Sequence, residues 1–510
     1  MKINSIESSA KEMYLVYWSQ IRIIIAIILL SVCLSACMVG PNFRTPSGFK
    51  VKRYTETPLP AKTANAPGPG GQTQKFITGK DIPELWWELF HSSAINALIR
   101  KGLANSPDLS SAMAALRQAK ENLNVQIGNT LWPAIDASGF AQRQRYSTVN
   151  IGDVTGNRAF TFNLYNASIN LSYTVDVFGG ARREIESLRA KVDNQQFEVI
   201  AAYLTLTSNI VTTSISIASV KAQIKVTQQL IGEQQTLLNI LKQQYHLGGV
   251  SQANVLTQQT LLEQTKATLP PLQKSLSQNK HALAVLVGSF PEESLPTVDL
   301  DQLKLPVTLP VSVPSLLVRQ RPDVRAAEAL LHSACAEIGV ATANLFPKLD
   351  ITGYYGWIST SLSNLFSAQN NIWSIMAQVT QPLFHGGALL AQRRAAIAAY
   401  QQADAQYRKT VLQAFQNVAD VLRALETDAR ALQAQALAEE SARQSLQLTM
   451  AQYRLGGTSY INLLNAQQQY LQTRINRIQA QATRFADTAA LFQALGGGWW
   501  HKPWCVKECL

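Results

Sequence analysis

The sequence predicts an internally duplicated α+β membrane protein in which pairs of transmembrane β-strands alternate with long α-helical hairpins. Three observations support this class. The 510-residue chain repeats itself along most of its length, and each repeat contains two segments of alternating apolar and polar residues. Each repeat also contains a helix-forming stretch of about 65 residues without proline. A repeat on this scale fixes the architecture before any single motif is interpreted.

The two copies are related by nearly constant shifts in residue number. Residues 244–249 (QYHLGG) recur as residues 452–457 (QYRLGG), 208 positions later, and the same shift continues to the ends of the following helices. Upstream, the shift is 214 at Pro133 and 206 at Phe178. Since the shift changes only between these two residues, the interval is expected to hold a loop of variable length between two strands.

Four segments alternate with period two and predict strands, at about 133–146, 160–178, 347–358 and 372–384. From Tyr165 to Val175 the odd positions are apolar or aromatic, and the even positions are Asn, Ser or Thr. About ten residues suffice to cross a membrane at a tilt, with the apolar face toward lipid. Four strands cannot close a barrel, and an open edge in hydrocarbon leaves backbone groups unpaired. Chains must therefore associate, and three copies would supply twelve strands.

Each long helical stretch would reach about 100 Å at 1.5 Å per residue. Its apolar positions are mostly small Ala, Ile and Val residues diluted by Gln and Ser, which predicts a supercoiled helical wall. Both stretches end at a Gly-Gly pair, where glycine permits the positive φ that a tight reversal needs. A rod-like adhesin stalk is the alternative for the helices alone, and the strand pairs argue against it.

The N-terminal residues have the layout of a bacterial lipoprotein signal. Basic residues precede an apolar run, residues 23–30, that is too short to span a bilayer. Residues 34–37 (LSAC) resemble a lipobox, in which Cys37 would carry diacylglycerol on its thiol and an acyl chain on its amine. An uncleaved anchor, and translation from Met13, are the alternatives. Met38 replaces the Asp that often follows the cysteine of inner-membrane lipoproteins, which points to the outer membrane.

Charge, histidine and cysteine content argue against other classes of function. The net charge is +12, but Lys and Arg are scattered, so no nucleic-acid partner is expected. The six histidines occur singly, and no catalytic cluster or phosphate-binding motif is present, so no catalytic residue or cofactor is assigned and an enzyme is not expected. Cys335, Cys505 and Cys509 would remain in the mature chain. Cys505 and Cys509 with His501 lack a fourth ligand, so a local disulfide or free thiols are preferred to a metal site.

Several motifs, each weak alone, occur in an order that resembles the outer membrane efflux factors, a TolC-like family, in their NodT lipoprotein subgroup. The resemblance covers nearly all of residues 37–500. In addition to the Gly-Gly turns, the motifs are CMVGPNF from Cys37, WW at 86–87, NSPDL at 105–109, DVFG at 176–179 and RPD at 321–323.

The resemblance implies a homotrimeric duct in the outer membrane for the efflux of small molecules such as drugs. Its fold would be a twelve-stranded β-barrel continued by a periplasmic α-helical barrel, lipid-anchored at Cys37 by N-palmitoyl and S-diacylglycerol groups. A periplasmic adaptor (membrane fusion) protein and an inner-membrane pump are the implied partners. The candidate adaptor contacts are Tyr245, Gly248, Gly249, Tyr453, Gly456 and Gly457. For the two tyrosines, ordinary helix packing is an equal alternative.

Two other functions remain open at this point: a type I protein-secretion duct of the same fold, and a structural or adhesin-like trimeric lipoprotein. In relatives an acid often follows the hairpin turns where Asn254 and Asn462 stand here. A ring of carboxylates at the pore mouth is therefore not implied at these two positions.

These observations predict the following organisation along the chain. A signal peptide (1–36) precedes a linker and equatorial segment (37–93), a first repeat (94–290, turn near 248), an equatorial connector (291–317), a second repeat (318–496, turn near 456) and a tail (497–510). Residues 46–74 and 289–314 are expected to be irregular, because both are rich in proline.

Overall fold

The computed structural model of the chain describes residues 38–47, 51, 53–147 and 159–501. Cys37, Cys505 and Cys509 lie outside these residues. The strands are β1 (Lys75–Thr78), β2 (Ala134–Ser147), β3 (Ala159–Val175), β4 (Thr308–Val311), β5 (Lys348–Ser359) and β6 (Asn371–Thr380). The helices are α1 (Ser93–Asn105), α2 (Pro107–Leu131), α3 (Gly180–His246), α4 (Gln252–Leu286), α5 (Pro314–Gln320), α6 (Pro322–Ala343), α7 (Ala388–Arg454) and α8 (Tyr460–Ala494).

The described residues form two compact units, and each draws on both copies of the repeat. Unit 1 contains the segment up to Thr45 together with Gln118–Asp193 and Glu328–Gln406. Unit 2 contains Pro46–Arg117, Asn194–Ala327 and the chain from Tyr407 onward. The repeats are therefore not separate compact bodies.

The duplication is visible in the bounds of the long helices. α3 and α7 each have 67 residues, and α4 and α8 each have 35. Every bound of the second pair lies 208 residues after its counterpart, as 388 − 180 and 494 − 286 show. Each residue turns an α-helix by about 100°, so an insertion in one copy would rotate its apolar positions away from their partners.

One antiparallel sheet of unit 1 carries the four predicted strands, in the order β2, β3, β5, β6. Its register lines up the two faces across all four strands. One apolar row is Ile135, Leu171, Gly353 and Ile375, and one polar row is Asp136, Asn170, Tyr354 and Ser374. Because a slip of one residue would mix the faces, the alternating pattern specifies this register.

Two strands are shorter than the pattern suggests. β3 ends at Val175 instead of 178, and β6 ends at Thr380 instead of 384. Pro382 has no N–H to donate to the sheet, which accounts for the early end of β6.

The expectation that residues 289–314 are irregular is wrong for part of this segment. β4 pairs in parallel with β1, from Lys75 opposite Thr308 to Thr78 opposite Val311. The two strands are far apart in sequence and only four residues long. Neither is long enough to show a local alternation of apolar and polar residues. The hydrogen-bond partner of each strand is the other, distant segment.

The aromatic core of unit 2 includes the predicted WW motif. Trp86 is fully buried and stacks on Phe492 of α8 with ring centroids 5.4 Å apart. Near the C-terminus, the indole Nε1 of Trp499 donates to the carbonyl of Gln320 over 2.7 Å. One helix among the described residues, α3, has a window apolar enough to cross a bilayer, and most of that window is buried inside the protein.

Candidate functional site

The two hairpin turns, called the tip turns, have the same backbone geometry. Gly248 N donates to Tyr245 O over 3.0 Å, and Gly249 N donates to Gln244 O over 2.8 Å. The second tip turn repeats both bonds at positions 208 residues later, over 3.1 and 2.8 Å. This pair of bonds is a Schellman motif, which satisfies carbonyls that the helix end leaves free.

Only the first glycine of each tip turn needs a positive φ. The φ angles of Gly248 and Gly456 are 77° and 74°, whereas neither Gly249 nor Gly457 adopts a positive φ. The sequence indicated that each Gly-Gly pair forms a reversal. The structure assigns the left-handed conformation to the residue after the helix C-cap, where the Schellman motif requires it.

The two tip tyrosines have different surroundings, although they occupy equivalent repeat positions. Tyr245 is exposed, whereas Tyr453 is partly buried and lies 5.5 Å from the ring of Tyr460. Burial raises the pKa of Tyr453. The residue equivalent to Tyr460 in the first copy is Gln252, at the shift of 208, which explains why Tyr245 lacks the same packing partner.

An apolar cluster within unit 2 joins the two hairpins beside the tip turns. It includes Leu241 of α3, Leu262 of α4, Leu446 of α7 and Leu463 of α8. Tyr460 closes it and donates its hydroxyl to Gln258 Oε1. Hydrophobic burial shared by four helices holds both tip turns in one block.

A groove of about 930 Å³ lies next to this cluster. Its lining includes the tip residues Gln244, Gly249, Asn254, Tyr453 and Arg454. Asn254 is thus within the groove lining, and its backbone N–H donates to Ser251 Oγ over 3.4 Å. The tip therefore presents a concave surface of mixed polarity.

Two exposed leucines at the tip turns were not singled out from the sequence. Leu247 is 86% exposed and Leu455 is 87% exposed, although both lie within the repeated LGG motif. Their occurrence at the same place in both copies makes them candidates for the same contact surface as the tip tyrosines and glycines. The repeated leucine is visible in the sequence, but its exposure is visible only in the structure.

The sheet of unit 1 exposes its apolar face. Ile169 is 51% exposed, whereas its neighbour Ser168 on the polar face is 7% exposed. On the polar face, Tyr354 Oη lies 2.6 Å from Asn166 Nδ2, and Thr174 Oγ1 donates to Asp350 Oδ1 over 2.6 Å. Ile135 and Ile375 on the apolar face are also exposed, and such a face fits strands that contact lipid on one side.

Among the described residues, each edge strand of this sheet has a partner strand on one side alone. β2 pairs only with β3, and β6 pairs only with β5. An edge of ten or more residues in a hydrocarbon phase is unstable unless another chain supplies its hydrogen bonds. In a membrane, both edges of this sheet would therefore need strands from other chains.

A clamp in unit 1 holds the described segment that follows Cys37, and the sequence did not indicate it. Arg183 is 1% exposed and donates to Val39 O over 3.2 Å and to Asn42 Oδ1 over 2.7 Å. Its guanidinium also pairs with Glu186 over 2.7 Å. Val39 N donates in turn to Phe178 O over 3.1 Å, so this segment is fixed next to the end of β3.

A second buried polar cluster lies in unit 2 and was also not indicated by the sequence. Arg484 is fully buried and donates to Gly70 O over 2.9 Å and to Gln72 O over 2.7 Å. Close by, the carboxyl group of Asp428 (α7) faces that of Asp487 (α8). Burial, and next the hydrogen bond with Asp487, raise the pKa of Asp428 from 3.8 to about 7.

Catalytic or metal chemistry has no visible basis in the described part of the chain. No group of three or more His, Cys, Asp and Glu side chains there is arranged to hold a metal ion. Cys335 is buried and is the free cysteine of this part, and burial raises the pKa of its thiol.

An apolar sheet with two unpaired edges, combined with two equal helical hairpins, defines a subunit of a membrane channel. Comparison with known proteins agrees with this class. The family described as "Outer membrane efflux protein" matches residues 98–289 and 313–497. The chain belongs to this family, whose members are channel and transport proteins of the outer membrane.

Individual relatives cover almost the whole chain. The pyoverdine export outer membrane protein OpmQ of Pseudomonas putida is 29% identical over 448 residues, covering 87% of this chain and 94% of the relative. The outer membrane protein OprJ of Pseudomonas aeruginosa is 26% identical over 479 residues, covering 93% and 96%. The solved structure of the outer-membrane channel OprN superposes with a TM-score of 0.80 at 25% identity, covering 91% of this chain and all of that one. The predicted TolC-like fold is confirmed by this similarity.

Proposed function

We propose that three copies of this chain form the outer-membrane duct of a tripartite efflux system that exports small molecules. The apolar face and the two open edges of the sheet carry the proposal. Four strands per chain require other chains for closure, and three copies give a twelve-stranded barrel. The relatives named for export of pyoverdine, toluene and antibiotics support small-molecule cargo over protein secretion.

The tip turns are proposed as the contact surface for a periplasmic adaptor. Tyr245, Gly248 and Gly249 form this surface in the first copy, with their equivalents Tyr453, Gly456 and Gly457 in the second. Leu247 and Leu455 add two exposed apolar side chains. Burial of these two side chains against an apolar partner surface would contribute favourable free energy to binding. The inner-membrane pump completes the system through the adaptor.

Cys37 is proposed as the site of lipid attachment. The lipobox-like sequence supports this assignment, and several acyl chains together anchor a protein firmly. The clamp supports it as well, because Met38 follows Cys37 directly and packs against Gly179. A Cβ added at Gly179 would lie 2.5 Å from Met38 Cγ, so this contact leaves no room for a side chain. Metabolic labelling with a radioactive fatty acid should mark the wild type and not Cys37→Ser.

Single-channel recording in planar bilayers tests the duct, with the particle mass measured in the same detergent. A trimer that gives a large, stable conductance supports the proposal. A closed trimer that opens when the tip turns are altered also supports it. A monomer, or an oligomer without conductance in either form, contradicts it and favours a structural role.

A further inference from the structure

The sheet changes character at the end where β2 finishes and β3 begins. Only β2 and β3 extend beyond the row that contains Tyr165 and Ser359. Residues 142–147 and 159–164 therefore pair with each other alone and form a two-stranded ribbon. At the opposite end of these strands, α2 leads into β2 at Ala134, and α3 follows β3 after Val175.

The apolar face shows three successive zones along the strands. Next to the helical end, the rows hold Val175 with Leu349 and Ile135 with Leu171. Farther along, the same face carries aromatic side chains. These are Tyr165, Tyr355, Trp357 and Trp373, and the rings of Tyr355 and Trp357 lie 5.4 Å apart at 82°. Such a belt is typical of the level of lipid headgroups.

Two arginines occupy this face directly beyond the aromatic belt. Arg143 lies opposite Asn163, and Arg145 lies opposite Thr161. Both side chains are exposed, and neither has a carboxylate partner among the described residues. Alternate residues of a strand point to the same side, so the two guanidinium groups emerge together from backbone positions about 7 Å apart.

The charges around this pair leave it cationic. The ribbon contains no Asp or Glu, and residues 360–370 contain no charged residue. Asp153 and Arg158, in the undescribed residues 148–158, have opposite charges. The two acids of the sheet, Asp136 and Asp350, are on the opposite face near the helical end.

We infer that Arg143 and Arg145 bind the phosphate groups of lipid headgroups in the outer leaflet of the outer membrane. The inference rests on the proposed placement of the sheet in the membrane, with the helical end toward the periplasm. Guanidinium groups bind phosphate through paired N–H donors, and two of them on one strand match a headgroup with two phosphates. Lipid A, the phosphorylated glycolipid of this leaflet, has that chemistry. The contact fixes the depth of the barrel in the membrane from its outer side.

The test is binding of bis-phosphorylated lipid A to the full-length protein in detergent, measured by native mass spectrometry. The double variant Arg143→Gln/Arg145→Gln should bind about tenfold more weakly than the wild type, since each surface arginine contributes to anionic lipid binding. The matched control is Arg393→Gln/Arg394→Gln, which removes two exposed arginines from α7. It should bind as the wild type does. Dephosphorylated lipid A should bind the wild type as weakly as bis-phosphorylated lipid A binds the double variant.

Three outcomes overturn the inference. They are equal binding by the double variant and the wild type, equal binding of the phosphorylated and dephosphorylated lipids, and competition by equimolar inorganic phosphate, which would indicate a simple anion site. Conductance in phosphatidylcholine bilayers separates this inference from the proposed function. A conducting double variant with unchanged lipid A binding rejects the arginine site alone. A protein that conducts neither as the wild type nor with altered tip turns rejects the duct.

Discussion

At the scale of single residues, the carboxyl pair Asp428 and Asp487 couples stability to pH. The pKa of Asp428 is about 7 in the folded protein, against 3.8 for a free side chain, mainly because it is buried. The folded state therefore favours the protonated form. The stability that this group contributes is fully present below pH about 4, and it is lost as the pH rises through about 7.

Asp428→Asn should flatten this pH dependence, because asparagine keeps a neutral side chain at every pH. Thermal melting followed by circular dichroism at pH 5 and pH 8 is the measurement. We expect the wild type to lose more stability between these values than the variant does. Asp420→Asn, an exposed carboxylate on the same helix, should keep the wild-type slope. Equal slopes for Asp428→Asn and the wild type would contradict the shifted pKa.

The tip turns allow a matched comparison of neighbouring glycines. Gly456→Ala should destabilise its turn by about 1 kcal/mol, because alanine is strained at a φ of 74°. A Cβ there meets no atom within 4 Å, so the effect is conformational and not steric. Gly457→Ala is the control, since its Cβ would be 3.6 Å from Gln452 O, an ordinary contact. Hydrogen exchange of the tip amides should increase in the first variant only, and a similar increase in both would reject this explanation.

The sequence predicted some of these residues and missed others, for physical reasons. The Gly-Gly pairs were found because a helix end and a repeated motif are local signals. Which glycine takes the positive φ depends on the hydrogen bonds of the Schellman motif, which the sequence does not display. Arg484 was missed because the carbonyls that it contacts, those of Gly70 and Gln72, lie more than 400 residues away in sequence. Asp428 was missed because its partner Asp487 is on a different helix, and a charged residue is expected on a surface unless it is paired.

At the scale of elements, the segment before Thr45 depends on the clamp. Arg183→Met should release it, because the carbonyls of Val39 and Gly40 and the side chain of Asn42 lose their donor. Removing one partner of a buried charged network costs about 3 kcal/mol. The Val39 amide should then exchange faster, while the sheet keeps its circular dichroism. The exposed Arg189→Met serves as control, and an unchanged Val39 amide in the Arg183 variant would contradict the clamp.

The long elements were predictable and the short ones were not. A proline-free, helix-forming composition over about 65 residues predicted α3 and α7, and alternation over about ten residues predicted the four strands of the unit 1 sheet, since each segment carries its own signal. β1 and β4 have four residues each and gain their order only from each other. The clamp was missed for the same reason, because Arg183 and Val39 are 144 residues apart in sequence and come together only in the folded chain.

At the scale of the whole molecule, the proposed assembly assigns opposite environments to neighbouring residues of β3. Ile169 lies on the apolar face with Tyr355, and Asn170 lies on the polar face with Tyr354. In a barrel of three chains the first face meets lipid and the second meets water in the lumen. In a soluble structural protein, the two faces would tolerate an added charged side chain about equally.

Ile169→Lys should therefore prevent or strongly reduce assembly in the membrane, whereas Asn170→Lys should assemble normally. A lysine on the lipid side costs at most about 2–4 kcal/mol in each chain, with the cost falling from the bilayer centre toward the headgroups, whereas a lumen lysine remains hydrated. The amount of SDS-resistant oligomer in isolated membranes measures assembly, and planar-bilayer recording then tests the surviving variant. Asn170→Lys should conduct with a shift toward anions, because three added charges line the lumen. Equal assembly of the two variants, or an unchanged ion selectivity for Asn170→Lys, would show that the faces of the sheet are not divided between lipid and lumen.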